Sequence, residues 1–553
     1  MSTSTEHTSE KFRDIAVVIS AGVMTMIPVL IYGVPYGLPD LVHHVQIANA
    51  YYHSLSEGVL FPGWVAGENN GYGAVTVRFY PPLMHYTLAI FRLTLGNWHL
   101  ATFAAFAFWS AIGNLGVWLW SMELGLGRRQ AVIAAVIFAL APYHLNQFYN
   151  AFMYGEFVSL AVLPFCFLFS ERVCKAGSAL NIASFSISLS FLLLANLPQA
   201  VIGSICVGIY LLFLLRRGRL TKQMLSISVA GVIAVGTTAF FWVRTIFEMS
   251  WLKISQPEPN PLYNYRKNFL FTDIFAGQGL WLGTLIAAGI ILIILLALYV
   301  SGRFRLIATD RRFLPIVALS IFSIFMTLPA SRPIWDELAL LQRLQFPWRF
   351  LSILSLTASI IFGYCFSFLN AANFRANRPK AIILVGLFCI FATFSVKQIM
   401  FGADFLPAAE FEEMVDRSSS SVGLYHWHPV WIARSAFEQK DKVIAGERPV
   451  SIRVWNSTEI RFEVESGHAE TVRVALMYYP HWRAFVNSSP VVISPSKDDE
   501  ISIPLSADQS DVKIEFVEPQ YTLTSRWISL VACLLTALAL VVYFIFSTKR
   551  LHN

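Results

Sequence analysis

The sequence predicts a polytopic α-helical membrane protein that carries a small β-sheet domain near its C-terminal end. Three observations predict it. Of the 553 residues, 56% are hydrophobic and only 14% are charged, against roughly 25% charged in soluble proteins. Mean hydropathy is +0.57. Apolar runs of bilayer-crossing length recur along the chain, until from about residue 444 they give way to period-two alternation.

A spanning helix needs about 20 mostly apolar residues. The runs at 14–33, 99–122, 129–145, 156–174, 178–195, 198–215, 224–245, 279–301, 313–329, 349–370, 380–401 and 526–547 meet this, about twelve spans in all. Lys11 with Arg13, Arg128 with Arg129, Arg172 with Lys175, Arg216 to Lys222, Arg303 to Arg312, Arg375 to Lys380, and Lys549 with Arg550 fall at alternate connections. Placed in the cytoplasm they leave both termini inside. The net charge of +7 is thus a topology signal and not a nucleic-acid footprint. The first apolar run lacks a small-residue cleavage site and reads as a retained helix. Leu83 to Gly96 is apolar but contains Arg92, and at 1.5 Å per residue it reaches about 21 Å, short of the roughly 30 Å core. It reads as re-entrant or interfacial.

The membrane part covers 1–401, with a first outer loop at 34–98. Residues 402–525 form an outer domain, a β-sandwich from about 444, where SIRVWNSTEIRFEVES, TVRVALMYYPHWRAFVN, EISIPL and DVKIEFVE alternate between turn residues. Residues 526–553 are the final span and a cytoplasmic tail. The six cysteines lie in or beside apolar runs, which excludes a disulfide framework in the outer domain and a Cys-ligated metal.

The first outer loop is too polar for lipid and too aromatic for an idle linker. Asp40 follows Leu38-Pro39 and opens a helical stretch; His43 and His44 stand three and four residues on, on the same helix face. Asp40 reads either as a general base or metal ligand, with a histidine assisting, or as an N-cap accepting backbone N–H bonds. For the histidines, hydrogen bonding at the interface is the stronger reading, since one Asp and two His make a weak metal signal. Trp64, Tyr72, Phe79 and Tyr80 either stack on sugar rings or anchor the loop at the membrane interface.

Several outer cations are not required by orientation: Arg78, Arg92, Arg244, Lys253, Arg266, Lys267, Arg332, Arg343 and Arg349. Arg349, in Gln345-Phe346-Pro347-Trp348-Arg349-Phe350 at a span start, is the sharpest. A guanidinium there either grips a lipid phosphate with two N–H groups or snorkels beside an aromatic belt. Arg343 and Arg266 are weaker candidates for the same task. Glu156, at the start of a span in Tyr154-Gly155-Glu156, is a site carboxylate or a partner of the helix dipole. No P-loop, dinucleotide fingerprint, H-E-x-x-H or G-x-S-x-G is found, so an activated group would arrive on a lipid.

Leu38-Pro39-Asp40 with His43 and His44, Phe61-Pro62-Gly63-Trp64, Asn69-Asn70-Gly71-Tyr72-Gly73 and Phe79-Tyr80-Pro81-Pro82-Leu83 resemble the first outer loop of the bacterial 6-pyruvoyl-tetrahydropterin synthase-related membrane proteins. Tyr154-Gly155-Glu156, the Phe-Pro-Trp-Arg segment and Tyr479-Pro480-His481-Trp482 match the same pattern, so the resemblance covers nearly the whole chain. Nothing in these residues suggests pterin chemistry. The resemblance implies a GT-C-like fold, related to glycosyltransferases that use polyprenyl-phosphate sugars and an acid in the first outer loop. It implies Asp40 as the catalytic acid.

The leading expectation is a glycosyltransferase of the bacterial plasma membrane. It would move a sugar from a polyprenyl-phosphate donor to a glycan or lipid acceptor, with Asp40 catalytic and Arg349, Arg343, Arg266, His43, His44, Glu156 and Tyr80 binding substrate. A divalent cation is the one cofactor left open; Glu57 and Glu68, the other acids of the loop, are not placed by spacing to complete its ligands. The alternative is a non-enzymatic transport or assembly protein for a lipid-linked glycan. A transferase moving a non-sugar group is a third.

Overall fold

The computed structural model describes residues 2–37, 39–256, 263–272, 286, 288–292, 295, 312–366, 378–418, 425–433, 437, 441–496 and 499–551. The expected span at 279–301 and the basic cluster from Arg303 lie largely outside the described residues.

The helices follow in chain order as α1 (Ser2–Met24), α2 (Ile27–Tyr32), α3 (Pro39–Ser56), α4 (Leu83–Leu95), α5 (Trp98–Glu123), α6 (Arg128–Ala139), α7 (Pro142–Tyr149), α8 (Tyr154–Lys175), α9 (Ala179–Ala195), α10 (Leu197–Leu214), α11 (Leu220–Thr237) and α12 (Ala239–Glu248). They continue as α13 (Leu314–Thr327), α14 (Arg332–Glu337), α15 (Ala339–Gln342), α16 (Leu351–Cys365), α17 (Arg378–Phe394), α18 (Ala408–Ser418) and α19 (Gln520–Leu551). Their ends follow local chemistry. Asn97, Ser178 and Asn196 cap α5, α9 and α10 through side-chain oxygens that accept from Leu100, Asn181 and Gln199 amides.

Among the described residues, seven helices or joined helix pairs are long and apolar enough to cross a membrane, and eight if the bent 314–337 pair is one span. This corrects the expectation of about twelve. Composition registers apolar residues but not helix breaks. The first run is divided at Thr25–Met26, ahead of Pro28 in α2. The run at 313–329 ends where Pro329 holds Leu328 extended, and the chain bends by 88°. Helix α9 has 17 residues, and the run at 380–401 passes from α17 into a π-helical turn, Ser395–Met400. Helix α4, with 13 residues, is too short to span.

The strands are β1 (Val34–Tyr36), β2 (Asp404–Leu406), β3 (Val443–Ile444), β4 (Val450–Trp455), β5 (Glu459–Val464), β6 (Glu470–Met477), β7 (Trp482–Val486), β8 (Ser489–Val491), β9 (Ser494–Pro495), β10 (Glu500–Leu505) and β11 (Ser510–Phe516). Two antiparallel sheets, ordered β3-β6-β10-β9 and β4-β5-β11-β7-β8, share one apolar core built on Phe462, Val472, Val474, Ile503, Val512 and Ile514. Strands β1 and β2 form a separate ribbon that ties the chain just before α3 to the chain just before α18. Gly33 permits it. Its φ is +108°, and a Cβ there would stand 2.0 Å from the Leu406 carbonyl oxygen.

Several rings of the first loop are turned into protein. Trp64, Tyr72 and Phe79 are buried with the core of the sheet domain, Trp64 meeting Trp482 edge-on at 5.2 Å. These rings anchor the loop on protein; neither a lipid-interface role nor sugar stacking fits side chains so enclosed. Asn69 and Asn70 both adopt φ +56°, and Asn70 Nδ2 donates to the Phe437 carbonyl at 2.5 Å. Tyr72 donates its hydroxyl to Glu500 at 3.1 Å, and its carbonyl accepts from the Met477 amide at 2.7 Å.

Candidate functional site

Asp40 stands in the first turn of α3, which the β1–β2 ribbon positions. Asp40 is exposed at the surface, with protein around it partly desolvating the carboxylate. That desolvation raises the carboxyl above its ordinary value, and the Arg349 guanidinium pulls it back down. The Tyr80 phenol lies in the same field. Burial raises it, Asp40 raises it further, and Arg349 opposes both. Three groups separated by up to about three hundred positions in sequence thus act on one another.

Arg349 sits in the tight turn Pro347–Phe350 that leads into α16, and it is buried. Its Nε lies 3.3 Å from Glu156 Oε2, and its Nη1 donates to the Leu344 carbonyl at 2.7 Å. Its guanidinium stands 4.9 Å from the Phe346 ring centre. No partner holds Nη2 among the described residues. Glu156 is the anchor for this arginine. It is fully buried and accepts from the Tyr143 hydroxyl on α7 and from Gln199 Nε2 on α10 at 2.9 Å. Gln199 also donates to the Arg349 carbonyl at 3.3 Å, while Ser352 donates to Gln199 Oε1 at 3.0 Å. Glu156 is therefore neither a free site carboxylate nor a dipole partner alone; it orients Arg349. The turn is reached through Gln345 at φ +64°, and Phe152, three residues before Gly155, has φ +53°. Non-glycine residues hold such conformations only where the surroundings impose them.

The two histidines part company. His44 is buried and stacks on Tyr154, with ring centres 4.7 Å apart. Its Nδ1 lies 3.1 Å from His85 Nε2, and His85 Nδ1 lies 3.3 Å from the Pro81 carbonyl. His44 also bonds the Phe152 carbonyl, so each ring faces a backbone acceptor as well as the other imidazole. Burial, reinforced by His85 and His43, holds His44 well below the usual histidine range. His43 is half-buried. Burial lowers it, Gln46 opposes that, and His426 lowers it further. Tyr80 packs edge-on against both His44 and His85 at 5.6 and 5.1 Å.

The remaining cation candidates lie elsewhere. Arg266 pairs with Asp336 at 3.1 Å, a carboxylate that also accepts from Tyr265 at 2.5 Å and faces Arg332 at 3.4 Å. Arg343 is exposed, with no ion pair among the described residues. Neither is brought to Asp40. Arg78 is fully enclosed; its Nη2 and Nε bond Glu248 at 2.6 and 2.8 Å, and its Nη1 bonds Glu518 at 2.9 Å. Glu248 also accepts from Tyr479 at 2.7 Å and Tyr521 at 2.8 Å, and stands 3.2 Å from His481. This cluster joins the first loop, α12, the sheet domain and α19, with Tyr479 and His481 reaching Glu248 from one turn. No three His, Cys, Asp or Glu side chains converge among the described residues.

Sequence reasoning did not single out His85, Tyr143, Gln199, Ser352 or Trp427. The available signal was weak: polar residues near the outer ends of apolar helices, at the depth of Glu156.

A family model described as the 6-pyruvoyl-tetrahydropterin synthase related domain of a membrane protein matches residues 77–399. No curated protein sequence matches the chain. Among solved structures, the arabinofuranosyltransferase AftD from Mycobacteria aligns at 15% identity over 71% of this chain and 27% of its own, with a TM-score of 0.45. The oligosaccharyltransferase of Archaeoglobus fulgidus in its apo form aligns at 13% identity over 76% of this chain and 57% of its own, with a TM-score of 0.42. The arabinosyltransferase EmbB from Mycobacterium smegmatis aligns at 12% identity over 90% of this chain and 62% of its own, with a TM-score of 0.38. The chain spans less than two thirds of the length of each. The family model takes in more than half of the 553 residues, including Arg78, Tyr80, Glu156 and Arg349, and the chain belongs to the 6-pyruvoyl-tetrahydropterin synthase related membrane proteins.

Proposed function

We propose that the protein is a glycosyltransferase of GT-C type that moves a sugar from a polyprenyl-phosphate donor to an acceptor hydroxyl on the outer face of the bacterial plasma membrane. In this reading residues 1–401 are the catalytic membrane part, 402–525 an outer domain, and both termini are cytoplasmic. The observation that carries it is that the fold brings Asp40, Tyr80 and Arg349 close enough to act on one another electrostatically. An accessible carboxylate beside a clamped guanidinium is what such a transfer needs.

Asp40 takes the proton of the acceptor hydroxyl as that oxygen bonds the anomeric carbon. The bond from that carbon to the donor phosphate oxygen breaks, and configuration inverts. The polyprenyl phosphate leaves with one more negative charge, which Arg349 offsets through Nη2. Glu156 holds the guanidinium in place but neutralises part of it, so the arginine serves as a donor of hydrogen bonds more than as a full charge. Tyr80 packs behind the carboxylate.

The test is Asp40→Asn in a deletion strain, with mass spectrometry of lipid-linked and surface glycan. The variant is expected to accumulate in the membrane at the wild-type level, with one sugar missing from the glycan and the polyprenyl-phosphate sugar accumulating. Full glycan with Asp40→Asn removes Asp40 from the mechanism. Build-up of an intact lipid-linked glycan favours transport or assembly instead.

A further inference from the structure

Close to Asp40 stands a group of side chains that the transfer chemistry leaves unused. Trp427 meets Tyr80 edge-on, ring centres 5.8 Å apart, and lies nearly parallel to Phe79 at 6.3 Å and 22°. His426 is exposed and close enough to His43 to lower its proton affinity. Trp427 itself is half-buried. It packs both on the sheet domain's core and on the small cluster of Tyr51 and Val77 behind α3.

The segment that carries these two residues is held firmly. The His428 carbonyl accepts from the Lys253 amide at 3.0 Å, and the Val430 amide donates to the Trp251 carbonyl at 2.7 Å. Trp431 Nε1 donates to the Tyr478 carbonyl at 3.1 Å. The outer domain thus presents a ring and an imidazole beside α3.

We propose that Tyr80, Trp427, His43 and His426 form the acceptor subsite, and that the acceptor is a neutral glycan. This rests on the reading of Asp40 given above. The chemistry selects the ligand. Half-buried aromatic rings cover the C–H face of a sugar, imidazoles exchange hydrogen bonds with its hydroxyls, and none of the four side chains is a permanent cation that would call for a phosphate. The subsite lies between the outer domain and the first loop. A sugar hydroxyl held there faces the carboxylate, while the donor phosphate is met by Arg349.

Binding of purified full-length protein, in detergent, to an immobilised array of defined bacterial oligosaccharides tests this. Wild type is expected to retain at least one oligosaccharide. Trp427→Ala should weaken that retention roughly tenfold or more, and Trp427→Phe should keep most of it. His426→Ala alters an exposed residue and should weaken it several-fold with no change in melting temperature. Undiminished retention by both Trp427→Ala and His426→Ala overturns the subsite, as does wild type retaining none. If Asp40→Asn still blocks transfer in cells, the glycosyltransferase reading survives that result.

Discussion

Asp40 is governed by two opposing influences: desolvation, which favours its neutral acid, and Arg349, which favours the carboxylate. The balance has a measurable consequence. A general base works only when ionised, so the acidic limb of the transfer rate against pH follows this carboxyl. Arg349→Gln removes the stabilising charge, the carboxyl rises further, and the limb moves to higher pH. The rate at its optimum should also fall about a hundredfold or more, as when a donor to a developing charge is lost. A limb that stays where it was would show that the two side chains do not act together in the working enzyme. Both residues are legible in the sequence, because an acid opening an outer helix and an arginine beside Phe-Pro-Trp are unusual in a lipid setting. The role of Glu156 is not. Its partners come from α7, α10 and the turn before α16, and no local spacing shows that three helices will meet there.

Among the elements, the first outer loop carries its own stored cost. Glu68 is buried, and Thr76 Oγ1 stands 3.2 Å from each of its oxygens. Burial pushes its carboxyl up to about 7 from 4.5. The folded loop therefore binds this proton more tightly than the unfolded chain, and stability falls as pH rises from about 4.5 through about 7. Glu68→Gln removes that loss. It should raise the melting temperature at pH 8, by up to about 3 kcal/mol in stability, with a much smaller gain at pH 5. Equal gains at both values would show that the carboxyl is ionised throughout. The turn around Asn69-Asn70-Gly71-Tyr72-Gly73 is foreshadowed by composition. Gly73 is required there: φ is +80°, and a Cβ would come within 2.3 Å of the Trp64 indole nitrogen. The surface that the loop's rings cover is not foreshadowed. Aromatic residues at a membrane border look the same whether they face lipid or the core of a domain some four hundred residues on.

Across the whole molecule, the Glu248 cluster fastens the sheet domain to the helices. Burial raises the Glu248 carboxyl, but the bond from His481 and the charge and hydrogen bonds of Arg78 outweigh it and hold the group well below the ordinary carboxylate range. A depressed carboxyl contributes stability that is present above its unfolded value and lost as pH falls through its folded value. Melting should thus be insensitive to this group from neutral pH to about 5 and fall only in stronger acid. Glu248→Gln leaves Arg78 enclosed with half its compensation gone, a loss of about 3 kcal/mol or more. Limited proteolysis should then cut between the helices and the sheet domain at concentrations that leave wild type whole. Unchanged proteolysis would mean that the apolar contacts of Trp64 and Tyr72 hold the domains together by themselves.

What the sequence by itself determined is the class of molecule, the alternation of the outer domain, and two of the polar residues that its apolar surroundings make conspicuous. These are local properties: hydropathy, period and the rarity of a charge beside lipid can be read from a window of neighbours. Tertiary structure alone decided how many apolar runs become continuous helices and which cations are already neutralised. Arg78 and Arg266 look as available as Arg349 in a linear reading, yet each is committed to carboxylates at least seventy positions away. An ion pair forms wherever folding brings charges within a few ångströms, and that distance is a property of the packed helices and sheets, not of any stretch of chain.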